Sequence, residues 1–135
     1  MANEIYNYRL IIQETMLDSF GHINNAVYLT LYEEARWDVI TNNGYGIKKI
    51  REVGQGPTLL EIKLTFSKEL YPRDEIIIES QCISYERKIG QFVQKMIRAG
   101  EVCSTLEMTF GLFDIVQRKL IMPTPEWLKA VGIKS

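Results

Sequence analysis

One segment of this chain, Ala26 to Asn42, carries a helical hydrophobic period over more than four turns, while the other long apolar segments alternate with a period of two. A single amphipathic helix must bury its stripe against another element, and sheet is nearly all that the rest of the sequence offers. The economical packing is a curved antiparallel sheet wrapped around that helix, an α+β layer. At 135 residues the chain fits one domain, spanning 1–135, whose core needs no metal or disulfide staples.

Laid on a wheel at about 100° per residue, Leu31, Ala35, Tyr28, Val39, Tyr32, Leu29 and Ile40 fill one continuous arc, with Thr30, Glu34, Asp38 and Thr41 opposite. Asn43-Gly44 supplies the stop expected just past a helix C-terminus. Arg36 points into the apolar arc. An arginine buried alone is costly, so a carboxylate or a ligand is expected to meet it, and Glu33 sits one turn away on the border of the arc. Trp37 falls on the polar side, which suits a subunit contact or the C-terminal helix.

Around this helix the alternation predicts five strands. Tyr6, Tyr8, Leu10 and Ile12 mark the buried face of the first; Leu60, Ile62, Leu64 and Phe66 that of the second. "EIIIESQCISYE" is the third, its isoleucine run suggesting burial on both faces. "QFVQKMIRA" is the fourth, and Gly100-Glu101 turns the chain into a fifth with Val102, Ser104, Leu106, Met108, Phe110 and Leu112 on one face. The stretch "GYGIKKIREVGQGP" reads as a long loop. "TPEWLKAVG" closes the chain with a short helix, capped by Thr124, opened by Pro125 and stopped by Gly132.

The formal charge of -1 gives no electrostatic footprint for nucleic acid. No apolar run approaches the roughly 18 residues of a membrane span, and "MANEIYNYRL" lacks the layout of a signal peptide. Cys82 and Cys103 are too few for a disulfide framework, and no Cys/His spacing suggests a zinc site. The expected compartment is a reducing cytoplasm. There is no dinucleotide fingerprint or P-loop.

The chemistry is concentrated just before the long helix, in "MLDSFGHINNAVY". Helix capping needs one of Ser, Thr, Asp or Asn; this turn holds Asp18, Ser19, the only histidine, His22, and Asn24-Asn25. Together with Gly21, Tyr28, Tyr32-Glu33 and Ala35-Arg36 they form the pattern D-x-x-G-H-x-N-N-x-x-Y-x-x-x-Y-E-x-A-R. This pattern resembles the hotdog-fold acyl-CoA thioesterases of the 4-hydroxybenzoyl-CoA thioesterase type, and the predicted strand order matches that fold along nearly the whole chain. Asn25 stands where one subgroup has histidine, so the chain looks more like the "GHxNN" subgroup, and the histidine-dependent details of the other are not carried over.

The resemblance implies hydrolysis of an acyl-CoA thioester, with coenzyme A entering as part of the substrate and no metal or redox cofactor. Asp18 would act as nucleophile or as general base, where turn chemistry alone makes it an Asx-turn residue. The resemblance places the oxyanion donor at the N–H of Asn25, where a helix start gathers unpaired donors and the positive end of the dipole. Gly21 lets the backbone turn tightly or approach a ligand closely, and the side chains of His22, Asn24 and Asn25 are expected to fix the loop by hydrogen bonds; Gly21, His22, Asn24 and Tyr28 are the candidates for binding substrate at the turn. Glu33 is either a second carboxylate that positions water or the partner of Arg36. Tyr28 and Tyr32 are expected in the core with hydroxyls seeking partners.

Arg87 and Lys88, or else Lys48, Lys49 and Arg51, are candidates for the phosphates of coenzyme A, against the reading that they are simply solvated. The resemblance also implies a homodimer joined sheet edge to sheet edge, paired again into a tetramer, with active sites at the subunit interface. Two other functions fit the same residues: a dehydratase or hydratase acting on acyl thioesters, and a non-enzymatic acyl-CoA binder.

Overall fold

The structure, a computed structural model, describes residues 3–134; the remaining positions of the domain expected over 1–135 lie outside the described residues. Strand β1 (Ile5–Ile11) leads through a 3-10 turn (Glu14–Met16) to α1 (Asn25–Asn42) and α2 (Ile47–Val53). Then come β2 (Gln55–Phe66), β3 (Glu75–Glu86), β4 (Ile89–Arg98), β5 (Glu101–Asp114), β6 (Lys119–Ile121) and α3 (Pro125–Ala130). The strands form one antiparallel sheet in the order β1-β3-β4-β5-β2, with β6 added to the end of β5. Helix α1 packs on one face of this sheet, which is the hotdog arrangement.

Sequence patterning explains most of these elements. Asn24 caps α1, its Oδ1 accepting from the N–H of Ala26 at 2.8 Å. The buried residues of α1 are Tyr28, Leu31, Tyr32, Ala35, Val39 and Ile40, as the wheel predicts. Leu29, placed on the same arc, is 40% exposed, although Ile40 beyond it on the wheel is buried. Facing the helix are Ile76, Ile78 and Cys82 of β3, Phe92 and Met96 of β4, and Leu106, Met108, Phe110 and Leu112 of β5, all buried. Alternation puts them on one side.

Five expectations need correction. The glycine-rich and basic stretch after α1 is not a plain loop, since Ile47–Val53 forms α2 with Ile50 buried and Gly54 (φ +69°) ending it in the left-handed conformation. Its seven residues are too short to display a convincing period. A sixth strand, β6, exists only because β5 is long enough to pair with it beyond the end of β4.

Val102 does not share the buried face: the register shifts between Met96 and Ile97, so Cys103 turns inward and Val102 outward. Burial of β3 is one-sided, with Ile77, Glu79 and Gln81 half-buried and Ile83 exposed. Leu60 and Phe66 are also about half exposed, at 48% and 49%: the register shift between Leu59 and Glu61 leaves Leu60 unpaired in a bulge, and Phe66 ends the edge strand β2.

A polar network pins the helix to the sheet. Arg36 Nη1 donates to Oε1 of Gln94 at 2.9 Å, and Gln94 Nε2 donates to the Tyr32 carbonyl and to Ser80 Oγ, each at 3.0 Å. Tyr32 donates its hydroxyl to Ser104 Oγ at 2.8 Å. Gln94, Ser80 and Ser104 are buried. No buried side-chain nitrogen or oxygen among the described residues lacks a partner.

Candidate functional site

The turn between β1 and α1 is built around Asp18. Its Oδ1 accepts from the backbone N–H of Phe20 at 2.9 Å and of His22 at 3.1 Å, while its own N–H donates to the His22 carbonyl at 2.7 Å. Gly21 sits at φ +79°, a conformation L side chains rarely adopt, and its N–H returns to the Asp18 carbonyl at 3.1 Å. A bridge between Leu17 and Ile23 and a bond from Asn24 N–H to the Met16 carbonyl at 3.2 Å close the loop onto the helix start. Asp18 is half-buried, with Oδ1 held by the loop; among the described residues no donor reaches Oδ2.

The loop is therefore braced by Asp18, Asn24 and backbone, and not by the side chains of His22 and Asn25. The imidazole of His22 points away and lies 3.6 Å from Glu69 Oε1, with both side chains largely exposed. Asn25 is the first residue of α1, and among the described residues its backbone N–H has no acceptor. A free donor at the start of an 18-residue helix is a built-in anion site, reinforced by the dipole.

Asn25 opens onto a shallow cleft of about 370 Å³ that it lines with His22, Tyr28, Phe66, Lys68 and Glu69. Tyr28 is buried with its ring edge-on to Phe66 at 4.8 Å, and burial pushes its phenol above the usual tyrosine range. The segment Phe66–Glu69, which closes this cleft, carries no mark in the sequence that would select it: it reaches the turn only because β2 ends there.

Glu33 and Arg36 do not form the expected ion pair. Glu33 Oε2 accepts from Trp37 Nε1 at 3.1 Å, and Arg36 is met by Gln94, a residue no helix-local reading could have picked. Desolvation lowers the Arg36 pKa, and the charge of Glu33 partly opposes this. Both line an apolar cavity of about 200 Å³ between α1, α3 and the sheet, together with Trp37, Phe92, Phe110 and Trp127. That cavity shares no lining residue with the Asn25 cleft.

Arg87 and Lys88 form the turn between β3 and β4 and line an open groove of about 460 Å³ with Ser84, Glu86 and Gln91. They lie at the Ile89 end of β4. The Asn25 cleft lies at the other end, where Arg98 Nη1 donates to the Glu69 carbonyl at 2.8 Å. Ten residues of strand separate the two by roughly 30 Å, so one chain does not bring Asp18 and Arg87-Lys88 together. Lys48, Lys49 and Arg51 stand on α2, with Lys48 and Arg51 exposed. No group of His, Cys, Asp or Glu among the described residues is arranged to hold a metal, and no described helix is long and apolar enough to cross a membrane.

Comparison with known proteins agrees with this architecture. Long-chain acyl-CoA thioesterase FadM of Escherichia coli (strain K12) is 27% identical over 107 residues, which cover 78% of this chain and 80% of that protein. A chloroplastic acyl-acyl carrier protein thioesterase of Arabidopsis thaliana is 23% identical over 79 residues, 58% of this chain, and the matched part spans only 42% of the plant protein. Among solved structures, a hypothetical protein of Staphylococcus aureus in complex with CoA superposes with a TM-score of 0.88 at 15% identity, covering 97% of this chain and 84% of that one. A family model described as the thioesterase-like superfamily matches residues 13–132. The match takes in the polar turn, both longer helices and every strand after β1, and the chain belongs to the thioesterase-like superfamily.

Proposed function

We propose that this protein is an acyl-CoA thioesterase of the "GHxNN" subgroup, working as a dimer or a dimer of dimers in the cytoplasm. The observation that carries the reading is the unpaired N–H of Asn25 at the start of α1, reached by the same turn that holds an Asp18 carboxylate with one oxygen fixed and the other unengaged. A thioester carbonyl oxygen placed on that N–H would meet a preorganised donor where negative charge develops. Asp18 Oδ2 then either attacks the carbonyl carbon, expelling the thiolate and leaving a mixed anhydride for water to cleave, or takes a proton from the attacking water. Coenzyme A esters are supported as the substrate class by the FadM relationship and by the CoA bound to the staphylococcal protein.

In this reading Gly21 and Asn24 hold the turn, and His22 and Tyr28 flank the substrate in the cleft. Arg87 and Lys88 grip the phosphates of a substrate whose carbonyl lies at the turn of a second copy, because they are too far from their own. Edge strand β2, with Leu59, Leu60 and Phe66 partly exposed, supports joining sheet edge to sheet edge. Glu33 takes no part in positioning water at its own Asp18, since it lines the other cavity.

One observation favours a second reading. Oδ1 of Asp18 already serves as an Asx-turn acceptor, which is all that a non-enzymatic acyl-CoA binder would ask of it. Thiol release from a panel of short, long and aromatic acyl-CoAs, with wild type beside Asp18→Asn, separates the two. Catalysis predicts release by wild type and a loss of about two or more orders of magnitude in the variant; tight binding without release by either would favour the binder.

A further inference from the structure

One wall of the Asn25 cleft is formed by residues 67–70, which belong to no helix or strand. Ser67 and Lys68 are still tied to the sheet, their N–H groups donating to the Cys103 carbonyl at 2.9 and 3.0 Å. Beyond them one side chain takes over. Arg98, at the end of β4, donates through Nη1 to the Glu69 carbonyl at 2.8 Å and to Asp74 Oδ2 at 2.9 Å, and among the described residues no other donor reaches that carbonyl. The Tyr71 N–H donates to the same Asp74 oxygen at 2.8 Å, and the guanidinium stands 5.8 Å from the centre of the Tyr71 ring. The turn that Arg98 grips also holds the opposite wall. Arg73, at φ +71°, donates its N–H to the Ile12 carbonyl at 2.6 Å, and the Ile12 N–H donates to the Asp74 carbonyl at 2.9 Å, just ahead of the 3-10 turn that leads to Asp18. A non-glycine residue is kept in that conformation only where the bonds around it over-determine it.

Two other charged contacts join these walls, and exposure ranks the three. His22 with Glu69 at 3.6 Å, and the fork from Arg73 to Glu14 at 2.9 and 3.0 Å, connect side chains that are 49% to 72% exposed, where ion pairs contribute little. Arg98 and Asp74 are 25% and 23% exposed, so water screens their bond least. We infer that Arg98 is a positioning residue of the cleft, holding the wall of residues 67–70 at the distance from Asn25 that a substrate needs. The inference rests on the thioesterase reading for the identity of that substrate, and deepens it. Arg98 touches neither Asp18 nor Asn25, whose turn is closed by its own bonds. Its contribution is therefore to binding: a displaced wall loses contacts made equally with substrate and with the transition state, which raises KM and spares kcat.

Arg98→Met keeps the length of the side chain and removes its donors. In thiol release from octanoyl-CoA, palmitoyl-CoA and benzoyl-CoA, KM for the esters that wild type cleaves should rise about tenfold, the scale of a lost hydrogen bond to a charged group, while kcat stays within about threefold. Calorimetry with coenzyme A alone reads the same wall without turnover, and its Kd should weaken by at least about fivefold. Arg98→Lys guards against misfolding of the first variant: an ammonium can still reach one of the two acceptors, so KM and Kd should rise only about threefold. Unchanged KM and Kd in folded variants, or a kcat that falls as far as KM rises, would overturn the assignment. Coenzyme A binding that depends on Arg98, with no ester cleaved by wild type, would sustain the positioning role and remove the thioesterase; Asp18-dependent cleavage with KM and Kd unmoved would do the reverse. A wild type that neither binds coenzyme A nor cleaves an ester would remove both.

Discussion

Arg36 Nη1 donates to Gln94 Oε1 at 2.9 Å, tying the middle of α1 to the central strand of the sheet. Gln94 is buried and spends its two Nε2 hydrogens on Tyr32 and Ser80, so it sets where α1 sits and thereby where Asn25 points. Replacing it by leucine strands a half-buried guanidinium and two further groups. We expect Gln94→Leu to lose about 2–4 kcal/mol, read as a lower urea midpoint at unchanged slope. A loss below about 0.5 kcal/mol would mean that apolar packing alone fixes the helix.

Asp18→Asn separates fold from chemistry. Asparagine Oδ1 still accepts from the N–H groups of Phe20 and His22, so the turn survives and thermal stability should change by less than about 1 kcal/mol. Thiol release should nevertheless drop about a hundredfold or more. If melting temperature and activity fall together, Asp18 is a bracing residue.

Gly21→Ala meets no atom within contact distance of the added Cβ, so its cost is conformational. At φ +79° that cost is about 1–2 kcal/mol. We expect a comparable loss of stability together with a raised KM, as the turn opens and Asn25 shifts. Unchanged kinetics in a destabilised protein would detach this turn from substrate binding.

Burial pushes the Tyr32 phenol up to about 12 from an ordinary 10, the bond to Ser104 opposing only part of the shift. A pKa raised by folding means that the protonated form is favoured in the native state. The stabilisation is thus complete below pH 10 and is lost as pH rises from about 10 to 12. Tyr32→Phe, compared with wild type by urea melts from pH 8 to 11.5, should flatten the alkaline decline. Parallel curves would assign that decline to other groups.

The proposed sharing of each site between two chains makes a prediction about mixtures. An Asp18→Asn chain and an Arg87→Ala, Lys88→Ala chain should each be weak alone yet recover activity when co-refolded. Random pairing makes half the dimers mixed, each with one intact site, so roughly a quarter of wild-type activity should return. Mixtures no more active than their parents would confine the site to one chain.

The local elements were legible because their causes are local. The period of Ala26–Asn42, the cap at Asn24, the alternation from Tyr6 to Ile12 and the Thr124-Pro125 start of α3 each depend on residues within a turn or two of one another. The motif from Asp18 to Asn25 was legible for the same reason: the turn that holds Asp18 Oδ1 and frees the Asn25 N–H is made by eight consecutive residues.

What the sequence by itself determined was therefore one long helix with its polar entry, a short closing helix and the alternating strands. Tertiary structure alone decided the partner of Arg36, which is 58 residues away in Gln94, and moved Glu33 onto Trp37 and into a second cavity. It also turned Val102 outward through a bulge, and set Arg87 and Lys88 at the far end of β4 from Asp18. The physical reason is common to all of these. A side chain's partner depends on strand register and on which face meets the helix, and both are set by the packing of the whole sheet against α1.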